Sequence, residues 1–404
     1  MKLKIAIVVH GRFHAFDLAR ALLARGHEVV VLTNYPKFAV KRFGLPPSCV
    51  RSFRLHGGLS RAAMKLQRRN LMSYPEAYLQ TLFGRWAAME LSKERWDVVH
   101  LWSGVGEEIL NALSGTPTLK LTMRGSAHIR TQARLLGQKM ERTGVRQDRP
   151  SDWIIAREER EYALTDRIIT LSTFAYDSFI AEGVPAEKLF LLPLGANLQS
   201  FRPPPEVVEA RCQRILSGRP LQVLYVGSLL YRKGLHDLAI TIKQVTPSER
   251  IQFRFIGSIT QEAESLVTEL EARAEFVGKR PQAELPHWYA QGDLFILPTI
   301  EDGFAVTLTQ ANSSALPVLT TTNIGGPDFI KHGQTGWLLP IRNPEAFAER
   351  LRWCDSHRPA LADMVRHIYH DHQSRDWHDV AVDFEDLCVA YLSEPSQSRQ
   401  SANG

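Results

Sequence analysis

The sequence predicts an α/β protein built from two doubly wound parallel-sheet domains that face each other across a cleft. Three observations carry that expectation. Short apolar runs alternate with segments of helical period along the chain, the pattern of repeated strand–helix–strand units. At 404 residues the chain exceeds what one hydrophobic core usually organises. A breaker-rich stretch, SFRPPPEVV (200–208), divides two such series and reads as the linker.

In the first series the strand candidates are KIAIVV (4–9), EVVVLT (28–33), DVVHLW (97–102), TLKLTM (118–123) and RIITLS (167–172). Between the first two, Phe16, Leu18, Leu22 and Leu23 recur near the helical period, and Gly26 offers a C-terminal stop. The second series runs through LQVLYVGS (221–228), IQFRFIGS (251–258), AEFVGK (274–279), DLFILPT (293–299) and LPVLTT (316–321). The expected domains are 1–198 and 199–375. A final amphipathic helix over 376–392 is expected to cross back to the first domain, and 393–404 reads as a disordered polar tail. Ligands of such folds bind at the C-terminal ends of the strands.

The composition, 44% hydrophobic and 23% charged, is that of a soluble globular protein. No stretch reaches the roughly 18 apolar residues of a membrane span. The start MKLKIAIVVHGRF reads as a first buried strand, because a signal peptide needs a longer apolar core and a small-residue cleavage site. Cys49, Cys212, Cys354 and Cys388 are scattered without metal-ligand spacing, which suits a reducing cytoplasm and argues against a zinc site. The net charge of +6 divides unevenly: residues 1–200 carry 29 Lys+Arg against 18 Asp+Glu, and the remainder 20 against 25.

Two motifs in the second series carry chemistry. VGSLLYRKG (226–234) joins a strand to a helix; Gly227 permits close backbone approach, and Arg232 and Lys233 put positive charge beside a helix start. That combination suits a phosphate or diphosphate, and equally a solvated surface turn. In PTIEDGFAVTLTQA (298–311) the residues after the strand are expected to start a helix whose free amides Gly303 leaves open. Asp302, Val306 and Gln310 would share one face of it. Gly325 and Gly326 add a tight turn at the same sheet edge.

The order VGSLLYRKG, FIG, PTIEDGF, QA, LPVLTT and GG over residues 221–345 is similar to the C-terminal half of the GT-B glycosyltransferases of family 4. ARGHEVVVLT (24–33) and LSTFAYDSFIAEGVPAEKLFLLPLGANLQSFRP (171–203) fit the same family, so the resemblance covers nearly the whole chain. It implies two Rossmann-like domains, the first binding acceptor and the second a nucleotide-diphosphate-sugar. It also implies a retaining reaction that needs no metal or other cofactor.

The family's diphosphate-binding lysine falls on Lys233, with Arg232 beside it, and its Gly-Phe donor loop on Gly303, Phe304 and Ala305. Where the family has two glutamates separated by seven residues, this chain has Asp302, implied to orient the donor sugar, and Gln310, implied to meet the ribose. Glu301 is the alternative register for the first acid. Gly227 keeps its place, but Ser228 stands where an arginine is frequent. In LTMRGSAHIR (121–130), Arg124 occupies a strand end where the family carries a histidine, and His128 follows; both are catalytic candidates, with a packing role for His128 left open. His10, Gly11 and Phe13 are the acceptor-side candidates. GVG (104–106) allows close approach at the same rim, but it lacks the third glycine and first-strand position of a dinucleotide fingerprint.

From Lys37 to Arg69 there are nine Lys/Arg and no acid, interleaved with Phe38, Phe43, Phe53, Leu59, Met64 and Leu66. This segment fits an anionic membrane surface and a lipid-linked glycan acceptor, or a solvated basic face; no nucleic-acid module accompanies it. The expected place is the cytoplasm, with peripheral attachment to the inner face of the membrane left open. Two other functions stay open, a nucleotide-sugar epimerase and a non-catalytic relative that binds nucleotide or membrane.

Overall fold

The structure, a computed structural model, describes residues 1–69, 71–145, 149–245, 250–371 and 375–394. Residues 395–404, most of the expected polar tail, lie outside the described residues.

Two all-parallel sheets organise the chain. The first holds β1 (Lys4–Val9), β2 (Glu28–Thr33), β3 (Val50–Ser52), β4 (Val98–Trp102), β5 (Leu119–Arg124), β6 (Arg167–Thr170) and β7 (Leu189–Leu191), in the order β3-β2-β1-β4-β5-β6-β7. The second holds β8 (Leu221–Val226), β9 (Ile251–Ile256), β10 (Ala274–Gly278), β11 (Leu294–Leu297), β12 (Val318–Thr321) and β13 (Gly336–Leu339), in the order β10-β9-β8-β11-β12-β13. In the first sheet Ile5 of β1 pairs with Val29 on one side and Val98 on the other. Helices cover both faces, so central strands such as IAIVV and LFIL are buried along their whole length. The architecture is GT-B.

Strand order reverses between β1 and β4 in one sheet and between β8 and β11 in the other. At such switch points the loops leaving the two central strands splay apart and open a crevice. The loops concerned are HGRF after β1, SGVG after β4, GSLLYRKG after β8 and PTIEDGF after β11.

Three strands escape the sequence reading. β3, β7 and β13 are three or four residues long and lie at or next to sheet edges, too short for a periodic signal. The linker stretch is docked. Phe201 is buried in the second core, and Pro205 opens a helix, Pro205–Leu216, where its missing N–H costs nothing. The last helix, Trp377–Ser393, begins at a capping box of Asp376 with Asp379 and lays Val380, Ala381, Phe384 and Cys388 against the core of the first domain. Arg25 Nε donates to Glu385 at 2.7 Å across that seam.

Candidate functional site between the domains

The loops after β8 and β11 are pressed together by glycines. A Cβ on Gly234, which has φ +77°, would lie 1.8 Å from the Pro298 carbonyl oxygen, so only glycine lets the Tyr231–Lys233 turn sit on the end of β11. Ile300 N–H and the Thr299 hydroxyl both donate to the Arg232 carbonyl, at 2.9 and 3.2 Å. Gly227 and Gly257 meet in the same way at the ends of β8 and β9, and behind them the hydroxyls of Ser228 and Ser258 are 3.0 Å apart.

This zipping aligns two cations with two acids. Lys233 Nζ contacts the Asp302 carboxylate, and Arg232 Nη1 lies 3.4 Å from Glu301 Oε2. Burial and the neighbouring Arg232 push the Lys233 ammonium down to about 7, with Glu301 opposing. The Arg232 side chain is 36% exposed and that of Glu301 not at all, so the basic group can meet a ligand and the buried acid cannot.

Glu301 instead turns to the other domain. Its Oε1 accepts the Ala127 N–H at 3.0 Å and its Oε2 the Gln132 amide at 2.9 Å. Gly303 abuts the backbone of Gly125 and Ser126, and Phe304 packs into the core cluster of the first domain. Further along the interface, Asp237 pairs with the fully buried Lys139 at 3.1 Å and with Arg142 at 2.8 Å. Arg342, held at φ +59°, donates to Gln138 and to the Leu135 carbonyl, both at 2.9 Å. Ala127 and Gln132 to Arg142 belong to one helix, Ile129–Thr143, and the turn before it. Sequence reading singled out none of these partners, because each is defined only by the opposite domain.

Several expected roles change. The helix after β11 starts at Val306 with Ala305 as its cap, so Asp302 does not begin it; its Oδ1 accepts the Phe304 N–H at 3.2 Å and shapes the loop instead. The space beside Gly303 is filled by the first domain rather than left open. Gln310 is buried, and its carbonyl oxygen accepts from the Tyr289 hydroxyl at 3.2 Å within its own domain. Gly325 lacks a side chain because the Phe304 ring occupies that place.

Arg124 is engaged within its own domain. It binds Glu158 at 2.8 Å, Gln132 Oε1 at 2.7 Å and the Ala127 carbonyl at 3.2 Å. These bonds engage three of its five N–H donors inside its own domain, which makes it a support for the cleft wall. His128 caps the helix Ile129–Thr143, its Nδ1 accepting the Arg130 N–H, and its ring packs on Tyr162 and Phe179. Burial pushes its pKa down to about 4, so it is a neutral packing histidine. At the GVG turn the Gly104 and Gly106 amides already bind the buried Glu161 carboxylate, at 2.6 and 2.8 Å.

On the acceptor side, Gly11 takes φ +103° and donates to Asn34 Oδ1 at 2.9 Å, while Phe13, at φ +39°, is 61% exposed. His10 stacks on Phe83 beside His56, and burial drives its pKa down to about 4. Asn34, bonded to the Gly11 loop, also lines a groove of about 580 Å³ formed with Pro36, Phe38, Arg54, Leu55 and Arg61. The basic segment of the sequence therefore supplies a concave apolar surface with arginines around it, largely on the helix Arg54–Arg68.

Comparison with known proteins agrees with this geometry. Residues 12–200 match the family model described as Glycosyltransferase Family 4, and residues 220–355 the one described as Glycosyl transferases group 1. The putative colanic acid biosynthesis glycosyltransferase WcaL of Escherichia coli K12 is 28% identical over 181 residues, 42% of each chain. The amylovoran biosynthesis glycosyltransferase AmsK of Erwinia amylovora is 27% identical over 47% of each. In both, the match spans less than half of the relative's length. A D-inositol 3-phosphate glycosyltransferase of Paenarthrobacter aurescens is 26% identical over 89% of this chain and 84% of its own. Among solved structures, Anabaena HepE in complex with UDP-glucose superposes with a TM-score of 0.67 at 15% identity, covering 96% of this chain and all of the other. Sucrose-phosphate synthase from Thermosynechococcus elongatus does so at 0.71 and 20%, covering 97% and all. With both half-chain models matched in order and the two sheets in place, the chain belongs to the GT-B glycosyltransferases of the family 4 type.

Proposed function

We propose that the protein transfers a sugar from a nucleotide-diphosphate-sugar to an acceptor hydroxyl, with retention and without a metal. The observation that carries this is the quartet Arg232, Lys233, Glu301 and Asp302 at the switch point of the second sheet. Lys233 and the exposed Arg232 offer two cations to a diphosphate, and charge stabilisation of the leaving group is the main source of rate in such chemistry. The acceptor oxygen forms a bond to the sugar C1 as the bond from C1 to the diphosphate breaks on the same face, the hydroxyl proton passes to the departing diphosphate oxygen, and the nucleoside diphosphate leaves on Lys233 and Arg232. Asp302, beside them, orients the sugar.

The acceptor lies on the first domain, along the His10–Phe13 loop and the groove beneath Asn34. Two arginines around an apolar floor suit a lipid-linked glycan at an anionic membrane face, at about 1 kcal/mol per basic residue. Among the described residues no helix is long and apolar enough to cross a membrane, so attachment by this route would be peripheral. The relatives that build colanic acid and amylovoran support polysaccharide synthesis as the setting.

The test is a mass-spectrometric panel of UDP-, GDP-, ADP- and CDP-sugars, with and without a membrane lipid extract, following nucleoside diphosphate release. Release with one donor, increased by lipid, supports the reading. Conversion of the donor sugar without an acceptor indicates an epimerase. Nucleotide binding without release under any condition overturns transfer and favours a non-catalytic relative.

A further inference from the structure

We propose that Gln132 is a positioning residue for the donor site, holding the Glu301 carboxylate so that Arg232 stays available to the diphosphate. The inference rests on the transferase reading above.

Chemistry fixes the orientation of the Gln132 amide. Arg124 Nη2 lies 2.7 Å from one end, and a guanidinium only donates, so that end is the oxygen. The other end is then the nitrogen. One of its hydrogens meets Glu301 Oε2 at 2.9 Å and the other Ser126 Oγ at 3.1 Å. Arg124 is itself set by donating to Glu158 and to the Ala127 carbonyl, and from it donation runs one way, Arg124 to Gln132 to Glu301, from the first domain into the second.

Glu301 Oε2 also faces Arg232 at 3.4 Å, long for an ion pair between two groups free to approach. The Gln132 amide and the Ala127 N–H hold the carboxylate toward the first domain. Without the Gln132 amide, Glu301 Oε2 keeps Arg232 as the cation within ion-pair distance of it among the described residues, and a desolvated carboxylate needs a partner. The pair would tighten, and the guanidinium would be withdrawn from an incoming diphosphate. Gln132 thus reports the approach of the first domain to Arg232, the more exposed of the two basic groups at the donor site.

The test is a double-mutant cycle with Gln132→Met, which keeps length and removes the amide, and Glu301→Gln. The affinity for the nucleoside diphosphate selected by the panel is measured by calorimetry, alongside kcat and KM for the donor. The expected result is about a tenfold weaker affinity and a matching fall in kcat/KM for Gln132→Met, the scale of a lost hydrogen bond to a charged group. Adding the same change to Glu301→Gln should alter affinity by less than about twofold, since the partner charge is gone. Equal losses in both backgrounds, or no loss in either, overturn the proposal. If the unaltered protein binds no nucleotide, the transferase reading fails, and small-angle scattering then decides: a more open Gln132→Met chain upholds the interdomain contact, and an unchanged one overturns it.

Discussion

Gly303 approaches Gly125 so closely that a side chain on it would put its first carbon 2.3 Å from the Gly125 carbonyl oxygen. The donor loop of one domain and the turn before a helix of the other therefore touch backbone to backbone. Gly303→Ala has no conformational penalty of its own, since Gly303 is not among the residues with positive φ. Its effect falls on the fit of the domains. We expect kcat/KM for the donor to drop roughly a hundredfold, the scale of a displacement of about 1 Å at a reacting centre, with thermal unfolding little changed. Donor kinetics and a melting curve on the same preparation check this; unchanged kinetics would refute it.

Lys233→Ala removes the cation nearest the donor loop and leaves Asp302 without its partner. Transfer is expected to fall at least tenfold. Equal rates for the variant and the parent protein would remove Lys233 from the site.

His100 lies fully buried in β4, its ring against Trp102 and Phe384, and neither ring nitrogen has a hydrogen-bond partner among the described residues. Burial lowers its pKa to about 3, from 6.5 in an unfolded chain. Below pH 6.5 the unfolded state takes up a proton that the folded state refuses. The contribution is complete above that pH and is lost as the solution is acidified toward 3. Between pH 7 and 4.5 the parent protein should lose about 2–3 kcal/mol more stability than His100→Leu, measured by urea unfolding at both values. Parallel curves for the two proteins would show that this ring does not titrate between the states.

Arg54→Gln and Arg61→Gln neutralise two arginines lining the apolar groove. Binding to vesicles rich in anionic lipid is expected to weaken about fivefold for each change, and salt should weaken the parent protein in the same direction. Vesicle flotation of the parent and the double variant distinguishes this from a merely solvated face, which would show no difference.

The sequence made the strands legible because parallel strands buried on both faces are short apolar runs, as VLYV and LFIL are. The edge strands β3, β7 and β13 have three or four residues and lack that signature. Arg232, Lys233, Glu301 and Asp302 were legible as residues, since two loops at the ends of β8 and β11 must flank one switch point. Their pairing was not. The partners of Arg124 and His128 were illegible for the same reason that Gln132 was missed. Which way a side chain at a strand end turns depends on neighbours far off in sequence: Glu158 claims Arg124, the Arg130 amide claims His128, and Glu301 arrives from the other domain.

The helix Trp377–Ser393 has one more implication. Phe384 and Cys388, near the end of the chain, are wholly enclosed in a core whose first strand begins at Lys4. During synthesis the leading domain emerges from the ribosome hundreds of residues before its last packing partner. It must wait, with that apolar surface open, while the entire second domain is made. The order of translation is thus opposed to the order of completion, and the nascent chain has a long interval in which a chaperone would find its binding site uncovered.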